Sequence, residues 1–415
     1  MKKIGIVEQW GGKSALFFSY THLSHDLTTG LLAALLPFIR QDLGLDYLKA
    51  GFLVSAYALS AGFAQFLGGW LSDRLGPRKA ISLGLAGVGI SGAAIIFASS
   101  FSVLVTVFII MGILSGFYHP SAVSALTNRF EDKKRGRVIA LHMLGGGLGF
   151  GIGPFLGAII SSSLNWHFAF LLLSIPAMVA AVLAFFQLKL EPTEARLNEA
   201  ALSQVTKQKP VTIWQVFKAA AGIMSLSIAM ALITGPVVSF LPLFLVDVHH
   251  LSDSAGSMWV TVIRMGGLLG SLFGGWLADK WGRRNAIFLA LVLFGPVVFL
   301  LAKLQFGFLL GVIFILFGWL MSMRETTMQT YLMDNTPPKI RATVFGIYFG
   351  FGQQGSSIVQ PIAGNYMDMV GIGGVYNVIA YISMSLSLLA LIIGLEIGKR
   401  IKKFKRNSRG TSTLL

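Results

Sequence analysis

Three ionisable side chains lie close together near the start of the chain, in the run His22-Leu23-Ser24-His25-Asp26. If this run is helical, His22 and Asp26 share a face because they are four residues apart, and His25 lies within one turn of His22. A carboxylate beside imidazoles in a low dielectric exchanges protons near physiological pH. The run therefore predicts a proton-binding site. The alternatives are a polar clasp between helices and a metal site, for which the nearby sequence offers no fourth ligand.

Two arginines and a glutamate occupy apolar stretches of the second half, at Arg264, Arg324 and Glu325. An arginine stays charged and presents a fork of donors that suits a carboxylate or a phosphonate. We expect these residues to bind a small anionic substrate, and an internal Arg–Glu–Arg brace between helices is the alternative. The other members of the predicted substrate-binding set are Tyr118, His142 and Gln353.

His119 is the fourth predicted member of the proton-coupling set, because an ionisable group inside an apolar span is costly and is a functional candidate by default. A packing histidine with satisfied hydrogen bonds is the alternative. No cofactor motif accompanies these residues. The glycine run Gly145–Gly157 contains no G-x-G-x-x-G register, and Val7 stands where a P-loop ending at Gly12-Lys13-Ser14 needs glycine. We therefore expect no cofactor and no bound metal.

Composition indicates that these groups lie inside a membrane protein. Of the 415 residues, 54% are hydrophobic and 12% are charged, whereas a soluble domain has about 25% charged residues. Apolar runs long enough to cross a bilayer recur along the whole chain. They predict an all-α membrane protein of twelve transmembrane helices, near residues 14–39, 47–72, 79–98, 101–127, 136–162, 166–189, 218–246, 254–278, 285–303, 306–333, 340–369 and 373–396.

The basic residues indicate the orientation of these spans. With an even number of spans, all but five of the 33 lysines and arginines fall at the termini or in loops on the terminal side. This distribution predicts a multi-pass protein of the cell (inner) membrane with both termini in the cytoplasm. The net charge of +16 is thus an orientation signal, and we expect contact with membrane lipid but no nucleic-acid binding.

An internal repeat divides the chain into two pseudo-symmetric halves. The segment Gly69–Ile81 (GWLSDRLGPRKAI) returns 206 residues later as Gly275–Ile287 (GWLADKWGRRNAI). The predicted domains are a six-helix bundle at 1–190, a cytoplasmic linker at 191–212, a second six-helix bundle at 213–398 and a basic tail at 399–415. Parallel halves of this kind are typical of transporters that rock about a central site.

The repeated segment resembles the loop signature of the major facilitator superfamily. The resemblance implies the major facilitator fold, and a charged latch on the cytoplasmic side with Asp73 at its centre. Ordinary charges that set the topology are the alternative. The residues expected to form the latch are Gly69, Asp73, Arg74, Gly76 and Arg78 in the first copy and Gly275, Asp279, Lys280, Gly282 and Arg283 in the second.

Two further motifs resemble exporters of this superfamily. The pair H-x-x-H-D at His22–Asp26 and G-F-Y-H-P at Gly116–Pro120 is similar to the fosmidomycin-resistance family, although His25 stands where asparagine is usual. The fifth span resembles the motif of proton-coupled exporters, at Gly149, Gly153, Pro154 and Gly157.

These features predict a proton-coupled secondary transporter, acting as a monomer, that exports a small anionic organic compound or drug by alternating access. A proton-coupled importer or exchanger of an organic anion is the first alternative. An intramembrane metal-dependent enzyme is a distant one, since neither H-E-x-x-H nor G-x-S-x-G is present. We therefore expect no enzymatic activity.

Overall fold

The structure, a computed structural model, describes residues 11–130, 132–188, 213–336, 348 and 355–410. These residues form α-helices joined by short turns, with no β-strand in the described ranges. The helices are α1 Gly12–Thr29, α2 Leu31–Ala34, α3 Leu36–Leu43, α4 Tyr47–Leu75, α5 Pro77–Ala94, α6 Phe101–Ser115, α7 Tyr118–Arg129, α8 Asp132–Ser163, α9 Trp166–Gln187, α10 Ile213–Asp247, α11 Asp253–Trp281, α12 Arg283–Lys303, α13 Phe308–Asp334, α14 Gly355–Val370 and α15 Ile372–Gly410.

The all-α membrane fold predicted from the sequence is confirmed. Nine helices within the described ranges are long and apolar enough to cross a bilayer, and they coincide with predicted spans three to ten and twelve. Predicted spans one, two and eleven correspond to α1–α3, to α4 and to α14. The total of twelve spans stays a prediction.

Two predicted spans are locally interrupted near the ionisable residues. The first span divides after Thr29 and again at Leu35, next to a proline at the start of α3. The fourth span divides between Ser115 and Tyr118, immediately before His119. Gly30 and Gly116 keep right-handed helical angles, so these two interruptions are local irregularities in continuous spans.

The repeat of the sequence is also a repeat of backbone conformation. Gly76 separates α4 from α5 with φ 82° and ψ 151°, and Gly282 separates α11 from α12 with φ 85° and ψ 140°. Both angle pairs belong to a region that is nearly exclusive to glycine. The two copies therefore form the same tight turn.

The described chain groups into two compact units. The first comprises residues 1–210, 235–265 and 354–372, and the second comprises 211–234, 266–353 and 373–415. The outer parts of α10, α11 and α14 thus pack with first-half helices, while the predicted bundle boundaries stay a prediction. The whole of the predicted linker lies outside the described residues, and α15 continues through the predicted tail as far as Gly410.

Glycines allow α8 to approach α1 closely in the first unit. A Cβ on Gly149 would lie 2.5 Å from the carbonyl oxygen of Leu23, and one on Gly153 would lie 2.7 Å from that of Leu27. Side chains at these positions would force the helices apart. The predicted fifth-span motif is therefore a contact surface for the helix that carries Asp26.

Candidate functional site

The predicted histidine and aspartate cluster is assembled inside the first unit. α1 carries His22, His25 and Asp26, which expose only 3%, 1% and 2% of their surface. α7 begins at Tyr118, so it places His119 beside them, and α8 brings His142 against the ring of His22. Four imidazoles therefore lie together, and two of them contact the buried carboxylate.

Each oxygen of the Asp26 carboxylate faces a different histidine. Oδ1 lies 2.7 Å from His25 Nδ1, and Oδ2 lies 3.2 Å from His22 Nε2. The second contact is the one predicted from the spacing of four residues on one helix. Two imidazoles thus contact a carboxylate whose charge would be very costly to bury alone.

The hydrogen bonds of His22 imply a proton shared with Asp26. Its Nδ1 lies 2.9 Å from the backbone carbonyl oxygen of His142, which only accepts, so Nδ1 carries a hydrogen. If the ring were neutral, Nε2 would be a bare lone pair facing the lone pairs of an ionised carboxylate. The 3.2 Å contact is favourable only when one further proton lies on His22 Nε2 or on Asp26 Oδ2. The geometry therefore suits one proton shared by the pair, and proton binding stays a prediction.

His25 makes a different and self-consistent set of contacts. Its Nδ1–H donates to Asp26, and its Nε2 lies 2.9 Å from the hydroxyl of Ser115, from which it accepts. Ser115 Oγ is in turn 3.2 Å from Tyr57 Oη. A neutral His25 satisfies all of these contacts, so this ring needs no additional proton.

His119 and His142 occupy different positions around His22. The His119 ring meets the rings of His22 and His25 edge to face, at 5.1 and 4.7 Å between centroids, and it is partly exposed. The His142 ring stacks on His22 at 4.2 Å, and its Nδ1 donates to the carbonyl oxygen of Phe18 at 2.9 Å. His142 thus packs against His22, and its predicted contact with substrate stays a prediction.

Three of these residues have the donor types of a transition-metal site. His22, Asp26 and His119 each offer one ligand atom, and the three atoms lie within 4.8 Å of one another. The set supplies three ligands from two helices, which is the number that a metal with an open coordination position uses. The expectation of no bound metal stays a prediction.

A buried arginine forms the polar centre of the second unit. Arg324 on α13 is 6% exposed, and its Nη1 donates to both the carbonyl oxygen and the Oγ of Ser227, at 2.8 Å each. Ser227 Oγ also lies 3.2 Å from Tyr348 Oη. Within the described part of the chain, no carboxylate lies within ion-pair distance of Arg324, and its Nε has no hydrogen-bond partner. The guanidinium therefore keeps donor capacity for an anion.

The two halves place a hydroxyl and its partner at equivalent positions. In the first unit, Thr21 Oγ1 lies 2.8 Å from Tyr118 Oη. Adding the repeat offset of 206 residues gives Ser227 and Arg324, which form the corresponding contact in the second unit. The repeat therefore extends to side-chain contacts between helices, and the second half has a cation where the first has a phenol.

The remaining residues of the predicted substrate set are less closely connected. Arg264 on α11 lies in the first unit, with its guanidinium 5.0 Å from the Phe150 ring centroid. Glu325 accepts a long hydrogen bond of 3.4 Å from Gln329. Gln353 lies outside the described residues. The roles of these three residues in binding stay predictions.

Stacking contacts and ion pairs occupy the predicted latch residues. Arg74 stacks over Trp70 at 4.2 Å, and Lys280 lies 5.0 Å above Trp276, the equivalent position in the second copy. Arg78 lies over the Phe185 ring at 4.3 Å.

In the second copy, Arg283 pairs with Asp279 at 3.5 Å and also contacts Asp334 on α13. Gly69 and Asp73 lie in α4, and Gly275 lies in α11. The side chain of Asp73 is outside the part of the chain that the structure describes, so the latch stays a prediction.

Sequence analysis missed the hydroxyl groups that complete both polar centres. Ser115 and Tyr57 extend the first, and Ser227 and Tyr348 extend the second. Hydroxyls are common in apolar helices and carry no local motif. The repeat offset points to Ser227 only after the structure has shown the contact of Thr21 with Tyr118, so the sequence alone offers no signal for these hydroxyls.

Comparisons with known proteins agree with the fold and the resemblance. The family model described as Major Facilitator Superfamily matches residues 18–361 and 250–413. The fosmidomycin resistance protein of Escherichia coli (strain K12) is 20% identical over 372 residues, covering 88% of this chain and 89% of that protein. The hexuronate transporter of Bacillus subtilis (strain 168) is 26% identical over 281 residues, covering 66% of each chain. The crystal structure of a D-xylose-proton symporter superposes with a TM-score of 0.72 at 15% identity, covering 91% of this chain and 96% of that one.

Proposed function

Because the chain belongs to the Major Facilitator Superfamily, a family of secondary transporters, we propose that it exports a small organic anion in exchange for protons. Inward symport or exchange of such an anion is the second candidate. The chain is an integral membrane protein, and the distribution of its basic residues supports an inner-membrane location with both termini in the cytoplasm. The similarity to transporters supports a transport role rather than catalysis.

The observation that carries the proposal is the contact between His22 and Asp26. One ring nitrogen of His22 donates to a backbone carbonyl, so the other contacts the carboxylate favourably only when the pair holds a proton. Loss of that proton would leave two facing acceptors in a buried site, which favours a rearrangement of α1. A two-state transporter responds to a ligand that binds one state better than the other. Proton release at Asp26 is thus a suitable trigger for the change from one state of the transporter to the other.

The anionic substrate is supported by Arg324. A buried guanidinium bound only by neutral acceptors is costly, and a carboxylate or phosphonate would offset that cost. Two relatives fit this chemistry by name, one a fosmidomycin resistance protein and one a hexuronate transporter. Resemblance to the resistance protein over most of both chains favours export.

The test uses the purified full chain in liposomes that contain a pH-sensitive dye. Fosmidomycin, glucuronate and a panel of small organic anions are added, and lumenal pH and the amount of compound are followed. We expect protons to move opposite to the compound in the wild type. Asp26→Asn should bind the compound but fail to concentrate it against its gradient.

The matched control is Asp253→Asn, which removes a carboxylate of the same unit that is remote in sequence from the histidines and lines a cavity that contains none of them. It should behave as the wild type. Proton movement in the same direction as the compound would establish symport instead. Flux without proton movement, or uphill transport by Asp26→Asn, would disprove proton coupling through Asp26.

A further inference from the structure

The two oxygens of the Asp26 carboxylate lead to two different hydrogen-bonded routes. Oδ2 leads to His22, whose other nitrogen donates to the backbone carbonyl of His142. A carbonyl carries no proton to pass on, so this route ends there. Oδ1 leads to His25, and from there to two hydroxyl groups that both donate and accept.

The second route is continuous over four side chains. Asp26 Oδ1 to His25 Nδ1 is 2.7 Å, His25 Nε2 to Ser115 Oγ is 2.9 Å, and Ser115 Oγ to Tyr57 Oη is 3.2 Å. The exposure of these groups changes along the route. Asp26, His25 and Ser115 are buried, whereas Tyr57 is partly exposed. The route therefore runs from a buried carboxylate to a residue that is partly exposed.

Local helix packing holds the outer end of this route together. Gly112 lies one turn before Ser115 on α6, and a Cβ there would lie 2.5 Å from the carbonyl oxygen of Tyr57 on α4. The absence of a side chain lets the two helices touch at this level. α6 then ends at Ser115, so the hydroxyl lies at the break in the helix.

We propose that Ser115 and Tyr57 are relay residues that deliver protons to Asp26 through His25. This inference rests on the proposed proton coupling at Asp26 and assigns its pathway. Neither hydroxyl is needed to bind the proton at equilibrium. Both are needed for fast transfer, since each both donates and accepts.

The relay conserves protons at every step. Tyr57 Oη–H donates its proton to Ser115 Oγ, and Ser115 passes its own proton to His25 Nε2. His25 releases the proton on Nδ1 to Asp26 Oδ1, and a proton from water replaces the one lost by Tyr57. The carboxylate ends protonated on Oδ1, and His25 ends as the neutral tautomer with hydrogen on Nε2. Rotation of the carboxyl group then turns its proton toward His22 Nε2, which accepts it. Proton release runs through the same groups in reverse.

The test is a pH jump followed by time-resolved infrared spectroscopy on the full chain in lipid vesicles, with no transported compound present. The carboxylic-acid band that Asp26→Asn removes reports protonation of Asp26. We expect Ser115→Ala and Tyr57→Phe to keep the amplitude of this band and to slow its appearance on the order of a hundredfold. Ser115→Thr keeps the hydroxyl and should keep the wild-type rate.

Two control variants remove similar hydroxyls outside the route. Ser121→Ala removes a hydroxyl that donates only to the carbonyl oxygen of Phe117, and Tyr20→Phe removes one that donates to that of Pro176. Both should show the wild-type rate.

An unchanged rate in Ser115→Ala would overturn the relay and indicate entry past the partly exposed His119. Loss of the band amplitude in Ser115→Ala would also overturn it, because the hydroxyl would then be structural. If no carboxyl or imidazole band that changes with pH depends on Asp26, the proposed proton site is disproved, and the relay with it.

Discussion

Arg324 shows how a single residue defines the chemistry of the second unit. Its Nη1 is held by two oxygens of Ser227, its Nε has no partner among the described residues, and the side chain is almost fully buried. A guanidinium held in this way is already oriented, so an anion that reaches it loses little freedom. We infer that Arg324 contributes to the affinity for the anion and is more than a structural residue.

Arg324→Met should weaken binding of the transported anion. Hydrogen bonds to a charged group contribute about 1.5–3 kcal/mol, so the Kd should rise roughly ten- to a hundredfold. Arg324→Lys keeps the charge without the fork and should give an intermediate Kd. The measurement is isothermal titration calorimetry with fosmidomycin or glucuronate.

Lys303→Met is the control for this prediction, since it removes a positive charge of the same unit that lies over the Phe299 and Tyr381 rings. Its Kd should equal that of the wild type. An unchanged Kd in Arg324→Met would show that this arginine is a structural brace.

The sequence alone predicts some contacts of the site and not others. The contact between His22 and Asp26 follows from helix periodicity alone, and the structure has it at 3.2 Å. The stacking of His142 on His22 does not follow, because the residues are 120 positions apart and belong to different helices. Helix periodicity predicts which residues share one face of a helix. Which other helix packs on that face depends on tertiary packing, and the small residue Gly149 was only an indirect indication of it in the sequence.

At the scale of elements, one end of α4 is held by carboxylates from second-half helices. Asp368 on α14 accepts from the backbone N–H groups of Tyr47 and Leu48, at 2.9 Å each. Asp247, the last residue of α10, pairs with Arg40 at 2.5 Å and accepts from the Tyr47 hydroxyl. A carboxylate at a helix N-terminus is stabilised by the unpaired N–H groups and the helix dipole. These contacts close the end of α4 opposite the Gly76 turn.

Asp368→Asn should make this end of α4 open more often. Because the chain contains no cysteine, a single Ser55→Cys substitution reports access. Ser55 is buried and donates to the carbonyl oxygen of Ser357, between α4 and α14. We expect the Asp368→Asn background to speed maleimide labelling of this cysteine about fivefold or more, since the lost charge contributes on the order of 1 kcal/mol.

Asp253→Asn provides the matched background. Asp253 lines the 410 Å³ cavity beside Arg40 and Asp247 but caps no first-half helix. Labelling in this background should match that of Ser55→Cys alone. Equal labelling in all three proteins would show that the carboxylate of Asp368 does not hold this end closed.

For the whole molecule, the repeat explains which properties the halves share and which they do not. Both copies form the same glycine turn and the same hydroxyl contact at an offset of 206 residues. At the positions equivalent to His22 and Asp26, the second half has Ile228 and Leu232. The second half thus has the shared architecture without the proton site.

Under the proposed function, the asymmetry favours an energetic coupling between two kinds of ligand rather than two equal sites. Protons would act at Asp26 in the first unit, and the anion would act at Arg324 in the second. If each ligand favours a different state of one equilibrium, each must change the affinity for the other by the same factor. Couplings of this kind are typically about 5- to 150-fold in affinity.

The affinity for the anion should therefore depend on pH through Asp26. In an antiporter, lowering the pH should raise the Kd of the transported compound, because the protonated state releases it; in a symporter, the Kd should fall. In Asp26→Asn the compound should still bind, but with a Kd that no longer changes across the same pH range. Calorimetric titrations of both proteins at a series of pH values measure this directly. If the pH dependence persists unchanged in Asp26→Asn, the coupled proton binds another group. The proposed coupling between Asp26 and anion binding at Arg324 would then be disproved.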